Sequence, residues 1–317
     1  MKKIVKHYWI VAILPLLFSA CSEFIEPSIS GSKVYLEAPA NNFQSPSYIQ
    51  NFWWDNVDNA LSYRLQVVSG KFDSVTYLVV DTLIKKNTFT LNLQPGKYQW
   101  HVRAENGSSQ SAYSEGRSLS ILYSSIKQQS VLLSSPANGF LTNQSSVTLQ
   151  WASLYGATKY QLEIDTNNFV NESAVLVNKV YPGLQANYTF PKDQNYQWRV
   201  RAQNDTAQAQ WSVIYNMTYN HTPPGAVSLI APTNKQTVST PVSLQWNSVS
   251  KAVKYKVYVL KSDSTTLYNS SFPALVTATN YSFNLGSTGE HVYWKITAID
   301  AAGNESQPSV LRSFILQ

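Results

Sequence analysis

Residues 148–164 read TLQWASLYGATKYQLEI, and the same arrangement occurs twice more, as NFWWDNVDNALSYRLQV over 51–67 and SLQWNSVSKAVKYKVYV over 243–259. In each stretch a tryptophan (Trp54, Trp151, Trp246) stands nine residues before a tyrosine (Tyr63, Tyr160, Tyr255). Farther on, YQWHVRAEN (98–106), YQWRVRAQN (196–204) and VYWKITAID (292–300) align Trp100, Trp198 and Trp294. The first-to-second tryptophan distance is 46, 47 and 48 residues. LEAPANN, LSSPANG and LIAPTNK open the three copies at Pro39, Pro136 and Pro232, which sets a period of about 96 residues. Chance does not produce this register at several landmarks, so the chain is three copies of one unit.

Inside each copy the pattern has period two. Phe52 and Trp54 share a face, as do Leu149 and Trp151, and Leu244 and Trp246. Tyr63, Leu65 and Val67 alternate with Arg64 and Gln66, and Tyr196, Trp198, Val200 and Ala202 alternate with Gln197, Arg199 and Arg201. Such alternation means strands with one buried and one wet face, hence antiparallel sheets. Phe89/Leu91, Tyr188/Phe190 and Tyr281/Phe283 supply another strand, and turn residues separate the runs. A unit of this length with about seven strands fits an immunoglobulin-like β-sandwich. The composition agrees, with 20 Tyr, 12 Phe and 9 Trp in 317 residues, since aromatic residues favour strands. By parity the six repeated tryptophans fill the space between two sheets.

The late strand Tyr98-Gln-Trp100-His-Val102-Arg-Ala104-Glu-Asn106 resembles that of fibronectin type III domains. Leu93-Gln-Pro95-Gly96-Lys-Tyr98 resembles the tyrosine corner of that family. Tyr196 keeps the position in the second copy, whereas Val292 replaces it in the third. The resemblance implies an all-β fold of three tandem immunoglobulin-like sandwiches, with domains at 34–123, 130–220 and 226–317. YSSIKQQS (123–130) and NHTPPGA (220–226) are the expected linkers, the second held semi-stiff by Pro223-Pro224. An elongated rod of three beads is expected.

The first twenty residues, MKKIVKHYWIVAILPLLFSA, have a basic start, an apolar run and a small-residue end, which is the pattern of a secretory signal peptide. The apolar run is shorter than a membrane span needs. Phe18-Ser19-Ala20-Cys21 contains the only cysteine and resembles the lipobox of bacterial lipoproteins. That resemblance implies cleavage before Cys21, lipidation of its thiol, and a membrane partner reached through the anchor. Ser22-Glu23-Phe24-Ile25-Glu26 resembles the acidic surface-export signal of lipoproteins of the Bacteroidota. Residues 21–33 read as a lipidated tether, and the expected location is the outer membrane, facing outward rather than toward the periplasm.

The net charge is +6, and without Lys2, Lys3 and Lys6 of the leader it falls to +3. These charges are scattered, which gives no reason to expect a nucleic-acid partner. His101, His221 and His291 belong to different copies or linkers and show no ligand spacing, so no metal or other cofactor is expected. Neither a Gly-x-Ser-x-Gly elbow nor a phosphate loop occurs, and Asp55 with Asp58 lacks a third partner, so no enzyme activity is expected. DAAGNES (300–306) reads as a turn with too few carboxylates for calcium, and as a weak contact candidate. Asp73-Ser74-Val75, Asp81-Thr82-Leu83, Asp205-Thr206-Ala207 and Asp263-Ser264-Thr265 resemble the O-glycosylation sequon of exported Bacteroidota proteins, and Asp-Ser and Asp-Thr are equally turn formers. Ser74, Thr82, Thr206 and Ser264 are the candidate sites.

Trp53, between Phe52 and Trp54, points outward by parity, where the other copies have Gln150 and Gln245. It is the candidate ligand contact, with Tyr48, Tyr77 and Tyr113 as candidate companions. Trp211 is expected to start a last strand and cover an edge. The functional expectation is a non-catalytic, lipid-anchored envelope protein that binds or scaffolds through its tandem sandwiches, with a polysaccharide or an envelope protein as partner. A glycan-binding subunit of an uptake system, a structural spacer and an enzyme with an unrecognised site are the alternatives.

Overall fold

The computed structural model describes residues 26–317. The leader, Cys21 and the residues up to Ile25 lie outside the described residues. Two compact units divide the chain. The described residues up to Gln44, with Asn51–Leu91 and Lys97–Ser120, form the first; Ser45–Gln50, Asn92–Gly96 and Ile121–Gln317 form the second.

Each repeat contributes eight strands. The first has β1 (Leu36–Ala38), β2 (Phe43–Ser45), β3 (Ile49–Trp54), β4 (Ser62–Lys71), β5 (Ser74–Ile84), β6 (Thr88–Asn92), β7 (Gly96–Glu105) and β8 (Arg117–Ile121). The second has β9 (Leu133–Ser135), β10 (Phe140–Thr142), β11 (Ser146–Trp151), β12 (Lys159–Asp165), β13 (Val177–Tyr181), β14 (Gln185–Thr189), β15 (Gln194–Gln203) and β16 (Tyr215–Tyr219). The third has β17 (Leu229–Ala231), β18 (Gln236–Val238), β19 (Val242–Trp246), β20 (Ala252–Leu260), β21 (Ala274–Val276), β22 (Asn280–Phe283), β23 (His291–Asp300) and β24 (Arg312–Leu316). They pair as one three-stranded and one five-stranded sheet per repeat. The orders are β1-β3-β6 with β2-β8-β7-β4-β5, then β9-β11-β14 with β10-β16-β15-β12-β13, then β17-β19-β22 with β18-β24-β23-β20-β21. The chain is thus all-β, three tandem sandwiches, as the period-two pattern requires.

The repeated motifs each perform a local task. Pro39, Pro136 and Pro232 follow the first strand of each repeat and lack the N–H that would extend its ladder. There the chain leaves the three-stranded sheet and joins the five-stranded one. β10 runs parallel to β16, and β18 runs parallel to β24. The asparagine two residues after each proline fixes the crossing. Asn41, Asn138 and Asn234 accept from the amides of Ser118, Asn216 and Ser313 at 2.8, 2.7 and 3.0 Å. In the first and third repeats, Arg117 and Arg312 each donate to two carbonyls of the opening strand and to that of the proline after it.

The Trp-to-Tyr spacing has an equally local cause. Tyr63, Tyr160 and Tyr255 each accept, through the hydroxyl, from an amide six residues earlier, at 2.8, 2.9 and 3.0 Å. Their rings meet Trp54, Trp151 and Trp246 at centroid distances of 5.6, 6.0 and 5.6 Å. All six repeated tryptophans are buried between the sheets, and none of their indole N–H groups has a partner. An unpartnered donor costs about 1–3 kcal/mol. Burying an indole of ~200 Å² contributes about 5 kcal/mol at ~25 cal/mol/Å². Packing wins, which explains why Trp is kept at a position that leaves its nitrogen dry.

Tyr196 makes the tyrosine corner, donating to the Lys192 carbonyl at 2.7 Å. The third repeat pins the same loop differently. Val292 is fully buried, and the Glu290 carboxylate accepts from the Tyr268 hydroxyl and the Ser287 amide, both at 3.1 Å. Gly286 is required there. It has φ +95, and a Cβ on it would run into Leu316 Cδ1.

One expectation changes and a second becomes more specific. In the first unit, the segment read as tether is packed down from Glu26 onward. Glu26 accepts from the Gly107 amide at 2.6 Å, Asn106 donates to the Pro27 carbonyl, and Ile29 is buried with its amide on Ser109 Oγ. In the second unit, the 300–306 turn is tied to the preceding linker through Asp300 and Asn304, while Ala301, Gly303 and Glu305 are exposed. Asn304 donates to the Asn220 carbonyl at 2.8 Å, and Asn220 donates to Asp300 at 2.7 Å. Asp300 and Asn304 are both buried. The joint after the second sandwich is therefore hydrogen-bonded as well as proline-stiffened.

Candidate functional site

The outer face of β4 and β7 carries an aromatic stack in the first unit. The His101 ring lies between Phe72, at 3.7 Å, and Tyr113, at 3.9 Å, nearly parallel to both. Arg103 sits over the Tyr113 ring, 4.9 Å from its centre. Around the stack, His101 Nε2 meets Gln66 Oε1 at 2.8 Å, Gln66 and Arg64 donate to Asp81, and Arg64 and Arg103 donate to Glu105. His101 therefore points away from the core, as alternation requires, but two rings cover it.

That cover controls its charge. Burial pulls the His101 imidazole from 6.5 down to about 4, Arg103 acts in the same direction, and Asp81 opposes. Burial works against ionisation of Asp81, but hydrogen bonds from Gln66 and Arg64 outweigh it and lower that carboxyl. Glu105 is lowered in the same way by Arg64 and Arg103. Between pH 6.5 and 4 the unfolded chain binds a proton at His101 that the folded chain does not. Stability should therefore fall as pH drops through that window, because the unfolded state holds more protons. Thermal melting at a series of pH values should show this decline, and His101→Gln, which keeps a donor for Gln66, should flatten it above pH 5. A decline of the same size in the variant would contradict the assignment.

The second repeat builds the same ladder with different chemistry. Arg199 lies over Phe169 and Trp211, 4.2 Å from each ring centre, and Arg201 covers Trp211 at 4.4 Å. Trp211 lies before β16 rather than starting it, clamped by two guanidinium groups. The third repeat keeps only Lys295 over Tyr258, at 5.5 Å.

Tyr113 also lines a cleft of about 600 Å³ in the first unit, between Ser32–Leu36 and Ala112–Arg117. Tyr35, at 63% exposure, forms part of its rim. Asp55 donates to the Tyr35 carbonyl, and Trp53 stands across from Ala38, so Tyr35 and Trp53 share the wet face of β1-β3-β6. Trp53 is 49% exposed. Its expected companions are not brought to it. Tyr48 is buried and donates to the Ser124 carbonyl, Tyr113 is in the His101 stack, and Tyr77 is exposed on β5 of the other sheet. Tyr35, which the sequence reading passed over, is the aromatic residue on its face. Period-two counting back from Leu36 would have found it.

Ser74 and Thr206 are exposed, whereas Thr82 and Ser264 are half-buried. Asp73, Asp205 and Asp263 occur at turns or bends, and Asp81 lies in mid-strand. Asp263 accepts from the Thr265 and Thr266 amides, and bonds from Thr266 lead in holding its carboxyl at about 2. His221 and His291 are far apart in sequence, and among the described residues no group of three or more His, Cys, Asp or Glu is placed to hold a metal ion. Cys21 lies outside the described residues.

No family model and no curated protein matches the chain. Among solved structures, the FN1-FN3 domains of chicken CNTN1 are similar with TM-score 0.38 and 15% identity, over 90% of this chain and 97% of that one. The fibronectin(III)-like modules of Clostridium thermocellum CbhA are similar with TM-score 0.37 and 13% identity, over 59% of this chain and 94% of that one. The sheet orders and the tyrosine corner define this chain as tandem fibronectin type III-like sandwiches.

Proposed function

We propose that the chain is a non-catalytic, lipid-anchored protein of the bacterial cell envelope that binds or scaffolds through its tandem sandwiches. The observation that carries the binding part is the unequal surface of the repeats. Trp53 and Tyr35 are exposed in the first, where the second has Gln150 and Leu132 and the third Gln245 and Ser228. Exposed aromatic residues on one wet face are the usual material of a recognition patch. A polysaccharide is the ligand that such a flat platform suits, which favours the glycan-binding uptake subunit. The hydrogen-bonded joint at Asn220 favours the spacer reading instead.

The anchoring part rests on Phe18-Ser19-Ala20-Cys21. With a lipid on Cys21, five residue steps separate it from the packed Glu26, about 17 Å at full extension. The first repeat then stands close to the bilayer. Outward display from an outer membrane of the Bacteroidota type follows from Glu23 and Glu26. Proteinase treatment of intact cells tests this. The wild-type chain should be digested without lysis, and Cys21→Ala should abolish membrane association. Protection until lysis would place the chain in the periplasm and favour the spacer.

A further inference from the structure

We propose that the cleft between Ser32–Leu36 and Ala112–Arg117 of the first repeat is a docking groove for an extended polypeptide segment of a partner protein. The inference rests on the binding reading above and does not depend on the lipid anchor. Most of both walls lies outside the strands, residues 32–35 on one side and 112–116 on the other. The Tyr35 carbonyl accepts from the Asp55 amide, and Val34 beside it lines the cleft. On the facing wall, Ser111 and Ser114 bond to Ala104 and Val102 of β7, and the N–H of Ala112 points outward. Neither Val34 nor the Ala112 N–H bonds to another described residue.

The second repeat shows what this edge accepts. There the equivalent amide, on Gln210, donates to the Gln129 carbonyl at 2.9 Å, and Ser130 bridges Gln210 in parallel. The incoming chain itself closes the edge. In the first repeat the incoming chain turns at Ile29–Ser32 instead, with Ser32 N on Ile29 O at 3.0 Å and Ile29 fixed to Ser109. The matching position stays open and widens into the cleft. The third repeat also lacks the bond, but it has Ala226, Ser228, Pro308 and Val310 where the first has Lys33, Tyr35, Tyr113 and Glu115. Only the first repeat combines an open edge with Tyr35 and Tyr113 on opposite walls and with Lys33 and Glu115 among the lining residues. Main-chain groups supply β-type pairing and the side chains supply selectivity, which suits a strand better than a sugar.

The probe is a labelled peptide of sequence KQQSVLLS, copying residues 127–134, whose Gln129 and Ser130 occupy this edge in the second repeat. It is titrated into the full-length chain in detergent and read by fluorescence anisotropy and hydrogen exchange. Saturable binding is expected, with slowed exchange confined to 32–36 and 111–117. Ala112→Pro, which removes the outward N–H, should weaken it about tenfold, the scale of one lost hydrogen bond. Tyr35→Ala, at an exposed position that leaves the core intact, should weaken it by about threefold or more. Tyr35→Ala decides if Ala112→Pro does not fold. Absence of saturable binding, protection elsewhere, or full binding by both variants would overturn the proposal. So would protection of the same two segments by a soluble polysaccharide and not by the peptide. Glycan binding that is lost in Trp53→Ala while the cleft takes no peptide would leave the proposed function standing and remove this inference alone.

Discussion

Trp198→Ala should cost the second repeat about 3–5 kcal/mol, a large part of what a domain of this size has. Trp198 is fully buried between the two sheets and meets Tyr215 edge-on at 5.9 Å. Its loss leaves a cavity that a close-packed interior cannot refill. The informative comparison is Trp198→Phe. Because the indole N–H has no acceptor, phenylalanine forfeits volume but no hydrogen bond. That variant should lose only about 1–2 kcal/mol, the transfer free energy of the missing atoms. Denaturant unfolding followed by far-ultraviolet circular dichroism separates the two. Equal losses in both variants would mean that the nitrogen has a partner in solution.

The second large effect is expected at Arg199. Its side chain is 10% exposed, and it forks onto Glu163, which is 5% exposed, at 2.9 and 2.7 Å. Glu163 also accepts from Asn178, and Arg199 reaches Glu172 at 2.8 Å. Arg199→Ala strands the Glu163 carboxylate on a face roofed by Phe169 and Trp211, and should cost about 3–5 kcal/mol. Replacing both members, Arg199→Met with Glu163→Met, removes the charges together and should recover most of that loss. The sign of the coupling in this double-mutant cycle is the test. Additive losses would mean that stacking on the rings, rather than the ion pair, holds the ladder.

The sandwiches could be read from the sequence because each copy repeats residues whose roles are local. A proline stops a ladder, an asparagine two residues on caps the crossing strand, and a tyrosine nine residues after a tryptophan closes a turn. Those roles need no knowledge of distant neighbours. The ladder on the outer face was not legible in this way. Phe72, His101 and Tyr113 come from three separate segments, and each alone looks like an ordinary surface residue. Aligning the repeats would have paired Phe72 with Phe169 and Tyr113 with Trp211, which is the one signal available. The packed segment from Glu26 carries only Ile29 and Val34 as buried apolar residues, too few to show a period. The tied turn at Asp300–Asn304 depends on Asn220, eighty residues away from Asp300, so turn chemistry explained its shape but not its partner.

The proline crossing sets how each repeat answers a pull. β10 lies beside β16 and runs the same way, with Phe140 opposite Met217 and Thr142 opposite Tyr219. β18 and β24 repeat the arrangement, with Gln236 opposite Phe314 and Val238 opposite Leu316. Force applied at the two ends of such a repeat drags these neighbours past each other along their length. The bonds between them are then loaded together in shear instead of being peeled one at a time. The crossing therefore acts as a mechanical clamp on every sandwich that has it.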